Sequence, residues 1–364
     1  MKYLFIIPAL NAGGAERVMV TLANELVLQN NTVTILTLNT ESCFYDLNEK
    51  VNINALNVVI SKNKLNRIIS LPIKEIIRIF KLKKFIKKYK PDLILSFLFT
   101  TNIMSIILHK LNKIPLIVSE RNDPSSYNKY VKFLCKFLYP TADMVVCQGV
   151  EVSKFFLNSK KNNIKVIPNP IYEGSIATNI PSKRIKKIVA VGRLVPQKNF
   201  NLLIDSFYDI ANKFPEHTLE IYGTGYLKDD LEKRIELLGL KNRVKLMGLQ
   251  KNIMLNVYDY ELFIMSSNFE GFPNALIEAM ASGLPVISTD FASGIAREYI
   301  TNYENGLLIP TNDRESLAEA IEIILSDKNL QNKMSKNNKK IINNLNVKQI
   351  MKEWNDAFEQ FKRN

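Results

Sequence analysis

Short apolar runs alternate with helix-length amphipathic segments along most of the chain, which indicates an α/β fold. In the first half, six runs are short, nearly continuous in apolar residues and typical of buried strands: Tyr3–Ile7, Thr32–Leu38, Asp92–Phe97, Leu116–Val118, Met144–Cys147 and Lys165–Ile167. Helical spacing is found between them, over Glu16–Gln29 and Ile73–Tyr89. Strands that are buried on both faces and alternate with helices predict a parallel sheet covered by helices on both sides.

The same alternation starts again in the second half of the chain. Pro168-Asn169-Pro170 ends the first pattern, and the stretch that follows is rich in Pro, Ser, Asn and Gly without a period, which predicts a linker over 169–187. The second set of predicted strands is Ile188–Val191, Leu219–Tyr222, Val244–Met247, Leu262–Met265, Pro285–Ser288 and Leu307–Ile309. We therefore predict two doubly wound, Rossmann-like domains, 1–168 and 188–345, with a ligand-binding cleft at the carboxyl ends of their strands.

The ends of the chain are interpreted separately. The tail over 346–364 has helical spacing, and Trp354 and Phe358 form an apolar anchor that we expect to pack back toward the first domain. At the amino terminus Pro8 interrupts a short apolar run, which argues against a secretory signal peptide. The longest uncharged stretch, Leu93–Leu108, is shorter than the ~20 residues that a spanning helix needs.

Composition excludes several classes of protein. The 364 residues are 46% hydrophobic and 23% charged, which is ordinary for a globular protein. Three cysteines without paired spacing predict no disulfide framework and favour the cytoplasm. The chain has two histidines and no Asp-x-Asp triplet, so we expect neither a metal nor another cofactor.

The net charge of +14 is unusual and predicts an anionic partner, such as nucleic acid, an acidic membrane surface or a phosphorylated substrate. Most of the excess lies between Lys62 and Lys90, where eleven Lys or Arg accompany a single acidic residue, Glu75. No nucleic-acid-binding motif accompanies this segment, so we expect no nucleic acid partner. A solvated charged face is the alternative to a binding role.

Two apolar quartets with helical spacing lie inside the basic segment. They are Ile73, Ile76, Ile77 and Phe80, and then Leu82, Phe85, Ile86 and Tyr89. The nine-residue step between them moves the apolar stripe by about half a turn. Basic residues therefore continue in the direction of the first quartet, at Lys83, Lys84, Lys87 and Lys88. The first half of such a helix would pack on a membrane or a domain core. Its second half would present cations to an anionic membrane surface.

Glycine-rich turns follow several predicted strands. Gly13 and Gly14 precede a helix, where backbone amides can approach an anion, although a tight turn without a ligand explains them as well. In the second domain Gly192-Arg193 leads to Lys198, and Gly223 and Gly225 follow the next strand. An arginine and a lysine at the carboxyl end of a strand suit a diphosphate, although such a pair is often merely solvated.

The most specific pattern is the segment from Phe269 to Val286. Glu270 lies on a loop, and Pro273 fits the first turn of a helix that carries Glu278 a little over one turn later. We expect the backbone amides of three residues there to be free and, with their neighbour Leu276, to line a ligand site in the cleft: Phe272, Asn274 and Ala275. Two carboxylates in this arrangement can accept hydrogen bonds from hydroxyls at two ends of a ligand, such as a sugar and a ribose.

Over nearly its whole length the chain resembles the family 4 retaining glycosyltransferases of the GT-B fold. The resemblance rests on Gly13-Gly14-Ala15-Glu16-Arg17, Gly192-Arg193-Leu194 with Lys198-Asn199, Glu270 and Glu278 as E-x7-E with its G-F-P-N-A-L-I-E-A filling, Gly294 with Glu298, and Asn305-Gly306-Leu307-Leu308. It implies that Arg193 and Lys198 bind the donor diphosphate. It implies further that Glu270 contacts the transferred sugar and Glu278 the ribose.

One segment departs from the pattern of several relatives. Ser119-Glu120 is followed by Arg121-Asn122-Asp123-Pro124, where those relatives have a histidine. This string resembles that of surface-polysaccharide transferases in the family. Arg121 would then hold a phosphate or an acidic sugar, or else form a structural ion pair with Glu120 or Asp123.

The resemblance also implies an activity and its partners. We expect transfer of a hexose or N-acetylhexosamine from a UDP-sugar to a polyprenyl-pyrophosphate-linked glycan, in bacterial surface polysaccharide or glycan assembly. In similar transferases a cationic helix of the first domain holds the acceptor pyrophosphate, so the protein would be peripheral on the inner face of the membrane. The alternatives are a nucleotide-sugar epimerase of the same architecture and a non-catalytic nucleotide-sugar-binding protein at the membrane surface.

Overall fold

The computed structural model describes residues 1–58, 67–156 and 163–362, with side chains throughout these ranges except at 67–72. The chain forms two compact units. Unit 1 comprises Met1–Pro168 and Met351–Asn364, and unit 2 comprises Asn169–Ile350. Each unit is built on one parallel sheet, so the predicted pair of Rossmann-like α/β domains is confirmed.

The described part of unit 1 contains a seven-stranded sheet in the order β3-β2-β1-β4-β5-β6-β7. Its strands are β1 (Lys2–Ile7), β2 (Thr32–Thr37), β3 (Asn52–Ala55), β4 (Leu93–Phe97), β5 (Leu116–Ser119), β6 (Met144–Cys147) and β7 (Ile164–Val166). Its helices are α1 (Gly14–Leu28), α2 (Arg67–Tyr89), α3 (Phe99–Asn112), α4 (Lys129–Leu138) and α5 (Val150–Lys154). The central strands are almost fully buried, because helices cover both faces of the sheet.

Unit 2 has a six-stranded sheet in the order β10-β9-β8-β11-β12-β13. Its strands are β8 (Ile185–Val191), β9 (Thr218–Tyr222), β10 (Val244–Gly248), β11 (Tyr260–Met265), β12 (Val286–Thr289) and β13 (Leu307–Ile309). The helices that follow β8 are α6 (Phe200–Ile210), α7 (Lys228–Leu237), α8 (Met254–Val257), α9 (Asn274–Ala281), α10 (Ile295–Tyr299), α11 (Arg314–Ser326), α12 (Lys328–Lys339), α13 (Ile342–Leu345) and α14 (Val347–Glu359). One apolar core is formed by β8, β9 and β11 with α6 and α11.

Two segments differ from the prediction. The strand Asn52–Ala55 was not predicted, because Ile53 is its only large apolar residue and it lies at the edge of the sheet, where only one neighbour pairs with it. The segment 169–187 was predicted as a linker, but it packs on unit 2. The Ile171 amide donates to the Leu345 carbonyl over 2.7 Å, and the last three residues of the segment begin β8.

The C-terminal helix α14 carries the predicted apolar anchor into the core of unit 1. Trp354 and Phe358 are 0% and 1% exposed. The ring of Trp354 lies 6.2 Å from that of Phe97 in β4, and the ring of Phe358 lies 5.2 Å from that of Tyr3 in β1. The last helix in sequence therefore completes the first unit.

Candidate active site

Three loops of unit 2 meet at one edge of its sheet. They follow β8, β9 and β11, which are neighbours in the order β9-β8-β11, and parallel strands bring their carboxyl ends to the same edge. The loops cover 192–199, 223–227 and 266–273, and α9 begins directly after the last of them. Most of the residues that the sequence singled out for donor binding lie on these loops and on α9.

The predicted glycines of the first two loops hold these loops against each other. Gly192 donates to the Tyr222 carbonyl over 2.9 Å. Gly223 has φ +147°, and a Cβ atom there would lie 1.8 Å from the Gly192 carbonyl oxygen. A Cβ atom on Gly225 would lie 2.2 Å from the Leu194 carbonyl oxygen. Glycine at 223 is therefore required both by its backbone conformation and by the close approach of the neighbouring loop.

Lys198 and Glu270 form an ion pair between the loops after β8 and β11. Lys198 Nζ lies 2.6 Å from Glu270 Oε1, and the two side chains are 14% and 8% exposed. Ser267 Oγ donates to the same oxygen over 2.6 Å, and Gln197 Nε2 donates to Oε2 over 3.3 Å. Because Glu270 keeps several donors, its carboxylate is held in a fixed orientation despite its burial.

Backbone contacts join the same two loops. The Asn268 amide donates to the Gln197 carbonyl over 2.8 Å, and Ser266 Oγ donates to the Lys198 carbonyl over 2.9 Å. Asn199 has φ 47°, and its Nδ2 donates to Asn268 Oδ1 over 3.0 Å. The sequence placed Asn199 in a motif with Lys198, but it gave no role to Gln197, Ser266 and Asn268, although their positions beside Lys198 and Glu270 were a usable signal.

Arg193 differs from Lys198 in its surroundings. Its guanidinium is exposed and donates from Nη2 to Gln197 Oε1 over 3.2 Å. Gln197 also donates to the Phe269 carbonyl over 2.9 Å, so it connects the arginine to the loop that carries Glu270. One predicted cation is thus open to a ligand from solution, and the other is held inside the loop pair.

The start of α9 corrects one detail of the prediction. The Asn274 amide is not free, because it donates to the Phe272 carbonyl over 2.9 Å. Pro273 caps the helix rather than forming its first turn, and Asn274 Oδ1 accepts a bond from Asn169 Nδ2 over 2.8 Å. This tight turn uses the Asn274 amide internally. Asn169, which the sequence placed in a linker, was therefore missed.

The other predicted residues of this segment lie on either side of that turn. Phe272 is buried, with its ring 6.0 Å from that of Tyr299, and Leu276 is 0% exposed in the core. Ala275 and Glu278 are half-buried on α9, Glu278 one turn after Asn274. The structure places Glu270 before α9 and Glu278 on it, so two carboxylates flank the start of one helix.

The glycine turn of unit 1 follows β1, in the middle of its sheet. Gly13 caps α1, and a Cβ atom there would lie 2.1 Å from Glu16 Oε2. The Gly13 amide donates to Asn11, and its carbonyl accepts the Tyr45 hydroxyl over 3.0 Å. Gly14 is the first residue of α1. The atoms nearest to a Cβ on Gly13 belong to the end of the flexible Glu16 side chain, so packing alone does not require glycine at 13, and donor binding by Gly13 and Gly14 stays a prediction.

Glu120 and Arg121 are both buried after β5. Glu120 accepts the hydroxyls of Tyr139 and Tyr127 over 2.8 and 2.9 Å. Burial raises the pKa of this carboxyl, although these hydrogen bonds oppose the shift. Burial also lowers the pKa of Arg121 to about 9. Its guanidinium carbon lies 4.3 Å from the centre of the Phe97 ring.

The Arg121 guanidinium also faces the ring of Trp354 in the C-terminal helix, 5.6 Å away. Asp123 caps the following turn by accepting from the Ser125 amide and hydroxyl. The stacking of Arg121 between two rings supports a structural role. Binding of a phosphate or an acidic sugar by Arg121 stays a prediction.

Helix α2 has an apolar strip on its outer face, which we call the α2 strip. Its residues Ile73, Ile76, Ile77 and Phe80 are 49%, 53%, 38% and 66% exposed. The inward position is taken instead by Arg78, which is 6% exposed and binds Glu75 over 2.6 Å. A domain core, one of the two surfaces expected under this quartet, is therefore wrong, and contact with a membrane stays a prediction.

The second half of α2 turns its apolar side inward. Leu82 and Ile86 are buried, and the rings of Phe85 and Tyr89 stack 5.7 Å apart. Four exposed lysines continue the direction of the α2 strip, namely Lys83, Lys84, Lys87 and Lys88. The start of the predicted basic segment, 62–66, lies outside the described residues. No helix in the described ranges has the length and apolar character needed to cross a bilayer.

Comparisons with known proteins agree with this architecture. Residues 12–173 match the family model described as Glycosyltransferase Family 4, and residues 176–341 match the one described as Glycosyl transferases group 1. HepE of Anabaena, solved in complex with UDP, superimposes with a TM-score of 0.80 at 20% identity, over 99% of this chain and 100% of that chain. This likeness shows the fold.

Two curated relatives from Campylobacter jejuni are similar over almost the whole chain. The N-acetylgalactosamine-N,N'-diacetylbacillosaminyl-diphospho-undecaprenol 4-alpha-N-acetylgalactosaminyltransferase is 31% identical, over 91% of this chain and 92% of its own. The GalNAc-alpha-(1->4)-GalNAc-alpha-(1->3)-diNAcBac-PP-undecaprenol alpha-1,4-N-acetyl-D-galactosaminyltransferase is 29% identical, over 97% of both chains. With this similarity and both family models, the chain belongs to the family 4 glycosyltransferases.

Proposed function

We propose that this glycosyltransferase moves a hexose or an N-acetylhexosamine from a UDP-sugar to a polyprenyl-pyrophosphate-linked glycan, with retention of configuration. The observation that carries the proposal is the joined pair of loops after β8 and β11. These loops present the exposed Arg193 and the Lys198–Glu270 pair beside the start of α9. Cations, a carboxylate and a helix amino terminus at one sheet edge suit a nucleoside diphosphate bound to a sugar.

The donor groups have separate roles in this proposal. Arg193 reaches the diphosphate from the solvent side, and Lys198 approaches from within the loop pair. An ammonium has three donors, of which the contact with Glu270 uses one, so Lys198 can hold Glu270 and a phosphate oxygen together. Glu270 then faces the transferred sugar, and Glu278 on α9 accepts from the ribose hydroxyls.

The chemistry requires no protein nucleophile. The bond from the sugar to the diphosphate breaks and the bond to the acceptor oxygen forms on the same face, while the leaving diphosphate oxygen takes the acceptor proton. Arg193 and Lys198 stabilise the negative charge that develops on the leaving group. A donor of this kind contributes about 3–4 kcal/mol. We further propose that these two cations do the work of a divalent metal.

The acceptor is inferred from the relatives and from α2. Both Campylobacter relatives are named for substrates on diphospho-undecaprenol or PP-undecaprenol. In this chain the exposed apolar residues of the α2 strip are followed on the same side by four exposed lysines. In this arrangement the α2 strip would contact lipid at the inner face of the membrane. The lysines would contact a pyrophosphate or anionic headgroups.

The test is a screen of UDP-sugars with a synthetic polyprenyl-pyrophosphate-linked glycan, with product mass as the readout. We expect the acceptor to gain one sugar and the donor to be consumed only when the acceptor is present. Arg193→Ala should abolish most of the product. Lys213→Ala, which removes an exposed lysine paired with Glu322, is the matched control and should leave it unchanged.

Two outcomes would contradict the proposal. Donor turnover at the same rate without any acceptor would indicate an epimerase of the same architecture. Tight UDP binding without turnover of any donor would indicate a non-catalytic nucleotide-sugar-binding protein. The anomeric configuration of the product, read by NMR, checks retention independently.

A further inference from the structure

A second helix of unit 1, α4, also exposes an apolar face. Tyr130, Phe133, Leu134 and Phe137 are 84%, 67%, 38% and 65% exposed. These positions follow the spacing i, i+3, i+4, i+7 and occupy about 100° of the helix circumference. The rings of Phe133 and Phe137 stack with centroids 6.1 Å apart. The four residues, which we call the α4 face, therefore form one continuous aromatic and aliphatic surface.

The charges on α4 all have the same sign. Lys129, Lys132 and Lys136 lie to one side of the α4 face, and no Asp or Glu lies between Lys129 and Leu138. Asn128 caps the helix by accepting from the Val131 amide over 2.9 Å, so its start is well defined. Cys135 is buried, which fixes the side of α4 that packs on the unit. The aromatic residues therefore point away from the core.

The α4 face belongs to a larger surface on the same side of the sheet. Right-handed crossovers that move from β3 through β4 and β5 to β6 put α2, α3 and α4 on one face, and α3 packs against both of the others. Helix α3 exposes Ile107 and Leu111 at 42% and 64%. Lys110 and Lys113 are exposed beside them. The described parts of α2, α3 and α4 thus each expose apolar residues and lysines on this side of the sheet.

We propose that α4 lies in the plane of an anionic membrane, with the α4 face among the lipid acyl chains and its lysines at the headgroups. The proposal extends the function proposed above to a second membrane element, but lipid binding by α4 does not depend on catalysis. Charge complementarity selects the occupant, because cationic flanks beside exposed aromatic residues match an anionic bilayer. A second copy of this chain is disfavoured, since a symmetric antiparallel contact of two α4 helices would bring lysines against lysines.

The residues of α2 and α4 predict how membrane binding depends on salt. The second half of α2 contributes charge, which salt screens, whereas Phe133 and Phe137 contribute apolar burial, which salt does not weaken. Membrane binding should therefore consist of a salt-sensitive part from the lysines and a salt-resistant part from the apolar residues, to which the α4 face contributes alongside the α2 strip. A purely electrostatic attachment would lack the second part.

The first test is sedimentation with phosphatidylcholine vesicles that contain or lack phosphatidylglycerol. Phe133→Ser with Phe137→Ser should weaken binding to the anionic vesicles by about a hundredfold, and the loss should persist at high salt. Both side chains are exposed, so folding and UDP affinity should stay unchanged. Tyr208→Ser with Leu237→Ser, which replaces two exposed residues of unit 2 away from the three loops of the candidate site, is the matched control and should bind like the wild type.

A second measurement reads insertion directly. The chain has a single tryptophan, Trp354, which is fully buried, so a tryptophan introduced on α4 reports a new signal. Phe133→Trp should shift its emission to the blue on vesicles and be quenched by lipids brominated on their acyl chains. Leu237→Trp should show neither change.

Several results would overturn the proposal. It fails if the Phe133 and Phe137 variant binds vesicles like the wild type, or if brominated chains do not quench Phe133→Trp on bound protein. It fails equally if the double substitution dissociates a dimer while vesicle binding stays intact, which would identify a second copy as the occupant. Loss of vesicle binding with no transferase activity in either protein would instead contradict the proposed function and leave the α4 proposal standing.

Discussion

Lys198 and Glu270 are 72 residues apart in sequence, yet Nζ and Oε1 lie 2.6 Å apart with both side chains largely buried. The pair joins the loop after β8 to the loop after β11. It is therefore a structural connection between two loops as well as a pair of proposed catalytic groups. A double substitution that removes both charges distinguishes the structural role from the catalytic one.

Lys198→Ala should lower both stability and activity. It leaves the Glu270 carboxylate buried without its cation, which costs about 3–5 kcal/mol of unfolding free energy. It should also lower kcat/KM by ~10²-fold or more, since the cation stabilises the leaving diphosphate. Lys198→Met with Glu270→Gln should recover much of the stability in urea unfolding and none of the activity. Recovery of turnover in the double variant would show that Lys198 acts only through the fold.

Substitutions of Glu270 and Glu278 should differ in their effect on UDP affinity. Glu278→Ala should weaken UDP binding by about tenfold, because a charged acceptor for the ribose hydroxyls is removed. Glu270→Gln should leave UDP affinity nearly unchanged and lose transfer, because its proposed partner is the sugar. Calorimetry with UDP and initial rates with the UDP-sugar distinguish the two. The assignment is wrong if Glu270→Gln loses UDP and Glu278→Ala keeps it.

The sequence predicted the order of strand, loop and helix at the candidate site well, because the signal for these elements is local. Strand β11, the loop glutamate and helix α9 lie within a short segment, and the pattern of that segment determines their order. The pairing of Lys198 with Glu270 depends on β8 and β11 being neighbours, which no local pattern shows. The amide of Asn274 was misjudged, because the tight turn at Phe272 depends on backbone geometry rather than residue type.

Helices α2 and α4 show a different limit. Periodicity found both apolar quartets of α2, but it identifies a stripe and not what covers it. The first quartet proved to be exposed, because Arg78 with its partner Glu75 occupies the inward side. On α4 the aromatic residues resemble an ordinary core stripe in sequence, and only their exposure reveals the α4 face.

Activity should be independent of divalent metal. Arg193 and Lys198 lie on one loop at the carboxyl edge of the sheet, where they can neutralise the diphosphate charge. The sequence has no Asp-x-Asp triplet to hold a metal ion with the nucleotide. Exhaustive EDTA treatment followed by assays in metal-free buffer should leave most of the transfer rate. Loss of activity that Mn²⁺ restores would contradict the proposal.

Stability at acid pH should depend on Glu220. Burial alone would raise the pKa of this carboxyl, but hydrogen bonds from Lys187, Tyr260 and Tyr222 outweigh burial and lower it. The unfolded chain therefore takes up a proton more readily than the folded one. The stabilisation is present above the ordinary carboxyl pKa and is lost as the pH falls through the lower folded value.

The check is the urea midpoint at about pH 7 and about pH 3, which lie above and below the ordinary carboxyl range. The wild type should lose stability on acidification. Glu220→Gln should lose less between the same two values, although it is less stable at neutral pH. Glu319→Gln, at an exposed position on α11, should follow the wild type. A Glu220 variant with the wild-type pH dependence would show that this cluster does not titrate on unfolding.

The last prediction concerns the four exposed lysines that continue the α2 strip. Each cation near an anionic surface contributes about 1 kcal/mol, so replacing all four by glutamine should weaken binding to anionic vesicles by ~10²-fold or more at low salt. The substitution should also raise KM for a polyprenyl-pyrophosphate acceptor and leave donor KM unchanged. A short acceptor without the pyrophosphate should be used equally well by both proteins.

The matched control removes the same charge from unit 2, by replacing four exposed lysines with glutamine: Lys213, Lys228, Lys233 and Lys241. If net charge alone draws the protein to the membrane, both quadruple variants should lose vesicle binding equally. If α2 holds the acceptor, only the α2 variant should raise acceptor KM, and the effect should follow the charge of the acceptor. Unchanged vesicle binding and unchanged KM in the α2 variant would make its lysines a solvated face and would contradict the lipid-linked acceptor.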